Sequence, residues 1–143
     1  MLKYRQDMSE NTHVDFFKDK KVLIVEDDAF LGGIVAESLH KNKATVNLVT
    51  SAENAIEYLK STVPDIVVLD IFLPGMNGLT FLEDFIKNPL TAKVPVLVLS
   101  NSGQAEDRER VKNLGADFMA KALVTPNEAI DHLYQMLVKR QIH

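Results

Sequence analysis

Hydrophobic residues along the chain fall into two alternating patterns. Short runs rich in aliphatic, aromatic or β-branched residues, typical of buried strands, lie at positions 22–25, 45–49, 66–69, 96–99 and 117–120. Between and after these runs, apolar residues recur three or four positions apart, which indicates helices with one buried face. Five strands alternating with five helices predict an α/β fold with a doubly wound parallel sheet that is covered on both faces.

The helical spacing also predicts which side chains face the core. In the first, second, third and fifth helices these are, in order, Leu31, Ile34, Val35 and Leu39; Ala52, Ala55, Ile56 and Leu59; Leu79, Leu82, Phe85 and Ile86; Ile130, Leu133, Met136 and Leu137. The fourth helix, at about residues 104–113, is dense in charge and has only Val111 and Leu114 as large apolar residues. We therefore expect its local stability to be low.

Residues typical of helix ends support this order of elements. Ser51 is the predicted N-cap of the second helix, and Pro64 is predicted to end that helix. The segment 125–128, Thr-Pro-Asn-Glu, combines an N-cap, a proline at the first helical position and a capping-box glutamate. Asp28 fits a capping role better than a catalytic one.

The length of 143 residues is enough for one domain. We expect residues 1–20 to form a polar, partly disordered extension that is ordered where Val14, Phe16 and Phe17 meet the domain. Residues 21–143 are expected to form the domain itself, and no output domain is expected after the fifth helix.

The histidines at positions 13, 40, 132 and 143 lack a convincing partner for a metal site and are expected at the surface.

Composition narrows the possible function classes. The absence of cysteine excludes disulfides, thiolate catalysis and cysteine-ligated zinc. A net charge of −4 gives no basic footprint for direct binding to nucleic acid or to an anionic membrane. No segment has the pattern of a signal peptide or of a membrane span, so we expect a cytoplasmic location.

Chemically active side chains follow four of the five predicted strands. They are Glu26 and Asp27, Asp70, Ser100 and Lys121. Taken singly, each is typical of a cap, a turn or a solvated surface. Ligands of open parallel sheets bind outside the carboxyl ends of the strands, however, and this shared edge favours a common site.

Three carboxylates at one edge repel one another unless one is protonated or a cation binds. An all-oxygen site suits a small, hard divalent ion, most simply magnesium. A carboxylate beside such an ion can act as a nucleophile toward phosphorus and form an acyl phosphate. The ion and Lys121 would then stabilise the charge of the transferring group, and Ser100 could donate a hydrogen bond to a phosphoryl oxygen.

Over about residues 20–141 the sequence resembles response regulator receiver domains. The resemblance rests on four motifs: VLIVEDD at 22–28, DIVVLDIFLPGMNG at 65–78, VPVLVLSNS at 94–102 and GADFMAK at 115–121. The second is the most specific, since aspartate followed by Leu-Pro-Gly-Met-Asn-Gly is close to a family signature. The resemblance implies a flavodoxin-like fold with five strands in the order 2-1-3-4-5.

The resemblance also assigns roles to individual residues. It implies that Asp70 is the phosphoacceptor and that Lys121 is the lysine found at this position in the family. The implied ligands of Mg²⁺, for which Mn²⁺ can substitute, are Glu26, Asp27, Asp70 and the backbone carbonyl of Phe72. Ser100 would be the switch hydroxyl and Phe118 the switch aromatic. Asp27 is the expected direct ligand, and Glu26 can act through water.

As a receiver, the chain is expected to be a phosphorylation switch rather than a turnover enzyme. Its expected partners are a sensor histidine kinase or a histidine phosphotransfer protein, an unidentified downstream protein, and a second copy of itself after phosphorylation. The expected output surface combines the fourth helix with the fifth strand and fifth helix. We expect a stand-alone, single-domain receiver in a two-component phosphorelay.

The sequence departs from the family pattern in two places. Ala122 follows Lys121, where the family usually carries proline after a cis peptide bond. Because a cis bond costs about 3–4 kcal/mol before alanine and about 0.5–1 kcal/mol before proline, we predict a trans bond and a shifted loop. Phe72 and Ser102 occupy variable positions that influence hydrolysis of the acyl phosphate in this family. The bulky Phe72 predicts a long-lived phosphoryl state.

Three other classes of function fit the sequence less well. A pseudo-receiver that binds proteins without being phosphorylated would normally have lost the site residues, all of which are present here. A phosphatase with an aspartyl nucleophile usually carries a second acid two residues later, where this chain has Phe72. A flavin-binding protein would need a phosphate-cradling loop at 26–28, where this chain is acidic.

Overall fold

The computed structural model describes residues 16–142, apart from the side chains of residues 29–30 and 140–142. Five parallel strands form one sheet in the order β2-β1-β3-β4-β5, which confirms the predicted topology. The strands are β1 (Lys21–Val25), β2 (Thr45–Val49), β3 (Ile66–Leu69), β4 (Val96–Ser100) and β5 (Asp117–Ala120). Val14, His13 and His143 lie outside the described residues.

Five helices cover the sheet, as the sequence predicted. They are α1 (Ala29–Lys41), α2 (Ala52–Leu59), α3 (Gly78–Lys87), α4 (Ala105–Asn113) and α5 (Pro126–Ile142), and a 3-10 turn covers Lys121–Leu123. Buried residues of α1 and α5 pack on one face of the sheet, and those of α2, α3 and α4 pack on the other. Among the described residues, no helix is long and apolar enough to cross a membrane.

The strands carry apolar side chains toward both layers of helices. In β1, Val22 and Ile24 belong to the core under α1 and α5, while Leu23 and Val25 belong to the opposite core. This alternation follows from the two-residue period of a strand, and burial on both faces explains the continuous apolar runs. The pairing of Val25 with Leu69 brings the residues that follow β1 and β3 to the same level of the sheet.

Side-chain caps hold the ends of several helices, as predicted. Ser51 Oγ accepts a hydrogen bond from the Asn54 amide at 3.1 Å. Thr125 and Glu128 form a reciprocal capping box, with side-chain-to-amide distances of 3.1 and 3.0 Å. The capping role of Asp28 is also confirmed, because its Oδ1 accepts from the Leu31 amide at 3.2 Å.

Two residues predicted to face the core do not. Leu31 is 36% exposed and Ile56 is 39% exposed. In α2 the contact with the sheet is made by Ala52 and Ala55, which are fully buried. Each residue turns the helix by about 100°, so Ile56 lies at the boundary of the stripe rather than at its centre. Helical spacing identifies a stripe but does not fix how much of its width a neighbouring element covers.

The aromatic pair before β1 joins the core. Phe17 is fully buried beside residues of α1 and α5. Phe16 packs edge-on against Tyr134 of α5, with ring centroids 4.8 Å apart. This part of the predicted extension therefore contributes to the packing of the domain, while the division of the chain at residue 20 stays a prediction.

Truncation of Phe17 should be among the more damaging changes in this layer. We expect Phe17→Ala to lower the free energy of unfolding by about 3–5 kcal/mol, because it leaves a cavity under α5. Chemical denaturation monitored by circular dichroism measures this change. Leu90→Ala is the control, since Leu90 is 74% exposed and its truncation should cost no more than about 0.5 kcal/mol. Equal, small losses in the two variants would contradict the buried position of Phe17.

Candidate functional site

Asp70 lies at the centre of the predicted site. It is the first residue after β3 and is 5% exposed. Its Oδ1 accepts hydrogen bonds from Ser100 Oγ at 2.9 Å and from the Phe72 amide at 3.0 Å. Its Oδ2 accepts from Lys121 Nζ at 2.8 Å. Since β3 lies between β1 and β4, residues that follow both neighbouring strands can approach this carboxylate.

The acidic residues after β1 complete a cluster around Asp70. Carboxylate oxygens of Glu26, Asp27 and Asp70 all lie within 4.8 Å of one another. Glu26 is buried and Asp27 is exposed. Lys121 Nζ bridges Asp70 and Glu26 Oε1, while Glu26 Oε2 is buried with no hydrogen-bond partner among the described residues. The structure thus brings together all the acidic and basic residues that the sequence proposed.

The cluster separates the pKa values of its carboxyl groups. The pKa of Glu26 is raised to about 7, mainly by burial and also by the nearby Asp70, while Lys121 acts to lower it. Burial also acts to raise the pKa of Asp70, but the side chains of Glu26 and Lys121 and the Phe72 amide hold it below its ordinary value. Burial opposes the ammonium form of Lys121, yet its two carboxyl partners raise the pKa of this lysine. Asp70 is therefore ionised at neutral pH.

The residues of this cluster fit a hard divalent cation. Three carboxyl groups lie together, Lys121 pairs with two of them, and the buried Glu26 Oε2 has no hydrogen-bond donor among the described residues. The ligands are all oxygen atoms, and Asp27 is exposed to water. Both features suit Mg²⁺ or Mn²⁺, because these ions prefer oxygen ligands and Mg²⁺ usually keeps several bound waters. The role of the Phe72 carbonyl as a further ligand stays a prediction.

Phe118 and Ser102 both contact residues of α4. Phe118 is half-buried on β5, and the Arg108 guanidinium of α4 lies 5.4 Å from its ring centroid. Ser102 is buried, and its hydroxyl donates to Asp107 Oδ2 at 2.5 Å. The Phe72 side chain is 55% exposed at the edge of the site.

The loop after β5 shows a contact that the sequence analysis missed. The Lys121–Ala122 peptide bond is trans, which confirms the prediction. The Ala122 amide donates to Asn101 Oδ1 at 2.8 Å. One feature of the sequence pointed to this bond. Ala122 has a backbone N–H that can donate, whereas a proline at this position would have none. Which acceptor it finds depends on two loops that are distant in sequence.

A second missed contact lies on the surface. Among the predicted surface histidines, His132 Nε2 lies 2.7 Å from Asp117 Oδ2, joining α5 to β5. His40 is exposed, as expected. The separation of 15 residues between His132 and Asp117 follows no simple helical or strand period.

Comparisons with known proteins agree with this geometry. A sequence profile of the response regulator receiver domain matches residues 22–134. The phosphate regulon transcriptional regulatory protein PhoB of Escherichia coli is 30% identical over 111 residues, which cover 78% of this chain and 48% of that protein. The BeF₃-activated N-terminal receiver domain of RstA from Klebsiella pneumoniae shows 28% identity and a TM-score of 0.74, covering 82% of this chain and 98% of that domain.

An enzyme also has a region similar to this chain. A protein-glutamate methylesterase/protein-glutamine glutaminase of Hahella chejuensis is 28% identical over 124 residues, covering 85% of this chain and 34% of the enzyme. The chain thus spans about half of PhoB and about a third of the esterase. The profile match, the strand order and the acidic site at the carboxyl edge of the sheet together show that the chain belongs to the response regulator receiver domain family of two-component signalling.

Proposed function

We propose that this receiver domain is a switch activated by phosphorylation of Asp70. The donor would be the phosphohistidine of a sensor histidine kinase or of a histidine phosphotransfer protein. The observation that carries the proposal is the environment of the Asp70 carboxylate, which is buried, ionised and contacted on both oxygens by Ser100, Phe72 and Lys121.

The proposed reaction needs an ionised carboxylate and positive charge at the same place. An Asp70 oxygen forms a bond to phosphorus while the P–N bond of the donor breaks. The electron pair of that bond returns to the imidazole nitrogen, which takes up a proton from water. Lys121, already 2.8 Å from Asp70, would stabilise the charge on the transferring group. Ser100 would donate to a phosphoryl oxygen in place of Asp70 Oδ1.

Magnesium, or manganese in its place, is the proposed cofactor. Glu26, Asp27 and Asp70 would hold the ion, with the Phe72 carbonyl as a further ligand. When bound, it supplies positive charge toward the phosphoryl oxygens. The buried Glu26 Oε2, which has no donor among the described residues, supports this assignment.

The signal would pass from Ser100 to α4. Phosphorylation adds a charge of about −1.5 to −2. This charge would draw the Ser100 hydroxyl toward the phosphoryl group and allow the Phe118 ring to turn inward. Within α4 only Val111 is buried, so few apolar contacts hold this helix in place. Its contacts from Ser102 to Asp107 and from Arg108 to Phe118 would rearrange in the switch.

The proposed output is protein association through α4, β5 and α5. Its partners would be an unidentified downstream protein or a second copy of the chain. Acyl phosphate formation and slow hydrolysis would make this a switch without catalytic turnover. The stand-alone architecture, the cytoplasmic location and the absence of direct nucleic-acid binding stay predictions from the sequence.

Direct phosphorylation tests the assignment of Asp70. With magnesium and a small acyl-phosphate donor, we expect intact mass spectrometry to show the gain of one phosphoryl group. The gain should be absent with a chelator or in Asp70→Asn, which keeps the shape of the side chain and removes the nucleophile. Equal labelling of wild type and Asp70→Asn would rule out this site. A chain that binds magnesium but accepts no phosphoryl group from either this donor or a kinase would support the protein-binding alternative.

The raised pKa of Glu26 predicts a pH dependence of stability in the absence of metal. Between its ordinary value of 4.5 and about 7, Glu26 binds more proton in the folded than in the unfolded chain. Its contribution to stability therefore falls as pH rises through this window. Asp70 and Lys121, whose pKa values shift away from neutrality, do not titrate there.

Thermal unfolding with a chelator measures this effect. The wild type should lose more stability than Glu26→Gln between about pH 5 and about pH 8. Magnesium should raise the wild-type melting temperature more at the higher pH, because a ligand must lose its proton to bind a metal. Identical pH profiles for the two proteins would show that Glu26 does not titrate in this range.

Phe72 is expected to prolong the phosphorylated state. Phe72 follows Asp70 by two residues, and its bulky side chain would restrict the approach of water to the acyl phosphate, while the Ser102 hydroxyl donates to Asp107. We expect a half-life well beyond seconds, and hydrolysis about fivefold faster in Phe72→Ala. Decay of the added mass measures both rates. Leu123→Ala, which removes a side chain that is 79% exposed on the turn after β5, should leave the rate unchanged. A wild-type half-life of seconds would refute the prediction.

A further inference from the structure

A hydrogen bond joins the loop that follows Ser100, the last residue of β4, to the 3-10 turn that begins at Lys121. Asn101 directly follows Ser100, and Ala122 directly follows Lys121. The Ala122 amide donates to Asn101 Oδ1 at 2.8 Å across 21 residues of sequence. We name this contact the loop tether.

The loop tether lies where the backbone pairing of the sheet ends. Ser100 and Ala120 are the last paired residues of β4 and β5. The 3-10 turn Lys121–Leu123 begins after Ala120, whose side chain makes no capping hydrogen bond. The amide of a first turn needs an acceptor from outside the turn. Asn101 supplies that acceptor, so its side chain continues the connection between the two strands beyond their backbone ladder.

The contact closes a ring around Asp70. Ser100 Oγ binds Asp70 Oδ1 at 2.9 Å, and Lys121 Nζ binds Asp70 Oδ2 at 2.8 Å. The loop tether joins the residues that follow Ser100 and Lys121. Ser100 and Lys121 are thus connected in two ways. One connection runs through the Asp70 carboxylate, and the other runs through the bond between Asn101 and Ala122.

We propose that Asn101 is a positioning residue that holds the Lys121 loop against the Ser100 loop, so that Lys121 is aligned with Asp70 for phosphoryl transfer. The proposal rests on the proposed function of Asp70. Asn101 and Ala122 are both exposed and neither contributes to the apolar core, so the effect of the loop tether is local. Alanine at position 122 supplies the N–H that the tether requires, which a proline would lack.

Asn101→Ala removes the acceptor and is the first variant to measure. We expect phosphorylation by a small acyl-phosphate donor at saturating magnesium to slow about fivefold, the rate equivalent of one lost hydrogen bond. The magnesium affinity should not change, because the acidic residues are held by other loops, and the melting temperature should fall by no more than a few degrees, the cost of one exposed hydrogen bond. Asn113→Ala, which removes an exposed asparagine at the far end of α4, is the matched control and should behave as wild type.

Ala122→Pro, which removes the donor, makes the test specific to the bond. Asn101→Ala should slow the reaction in the wild-type background and have no effect in the Ala122→Pro background, because the tether is already absent there. An equal effect of Asn101→Ala in both backgrounds would overturn the proposal. So would a loss of magnesium affinity together with a larger fall in melting temperature in Asn101→Ala, since these would indicate a general structural role.

Nuclear magnetic resonance separates failure of this proposal from failure of the proposed function. In the unphosphorylated chain, Asn101→Ala should accelerate hydrogen exchange of the Ala122 amide and broaden the ammonium signal of Lys121. Both readouts need no phosphoryl group. Their absence would overturn the proposal, even if Asp70 is phosphorylated. Their presence in a chain that accepts no phosphoryl group would support the positioning of Lys121 and refute only the proposed function of Asp70.

Discussion

The contact between Lys121 and the buried carboxylates of Asp70 and Glu26 is the interaction on which the rest of the site depends. A parallel sheet brings the carboxyl ends of its strands to one edge, so acidic residues after β1 and β3 necessarily approach one another. Burying such charges is costly unless they are paired. A single ammonium cannot balance three carboxylates, and the site resolves the excess by raising the pKa of Glu26 while keeping Asp70 ionised. Glu26 can lose its proton when a metal ion binds, and Asp70 stays an ionised carboxylate.

The scaffold and the site have different mechanical roles. The central strands β1, β3 and β4 are buried on both faces and fix the positions from which the site residues emerge. In contrast, α4 is attached by few apolar contacts and by polar contacts at Asp107 and Arg108. A change of charge at a rigid edge can therefore be transmitted to a loosely held helix, since the helix has more freedom to move than the strand that bears the charge.

The proteins with regions similar to this chain differ in activity. A transcriptional regulator and a methylesterase both contain a region similar to this chain, although the chain spans about half of the first and about a third of the second. A shared region therefore does not fix the activity of the whole protein that contains it. In the loops of this chain, Ala122 donates to Asn101, and the exposed Phe72 follows Asp70 by two residues.

Local patterns in the sequence were enough to predict the α/β class, the order of the elements and the acidic, hydroxyl and ammonium residues at the strand ends. These follow from local periods of hydrophobicity and from the rule that parallel strands share an edge. The trans bond before Ala122 was also predictable, because its energy depends on the residue alone. The complete burial of Phe17, the partial exposure of Ile56 and the bond between Asn101 and the Lys121 loop emerged from the packing of the folded chain. These outcomes depend on contacts between segments far apart in sequence, and no local pattern encodes such distances.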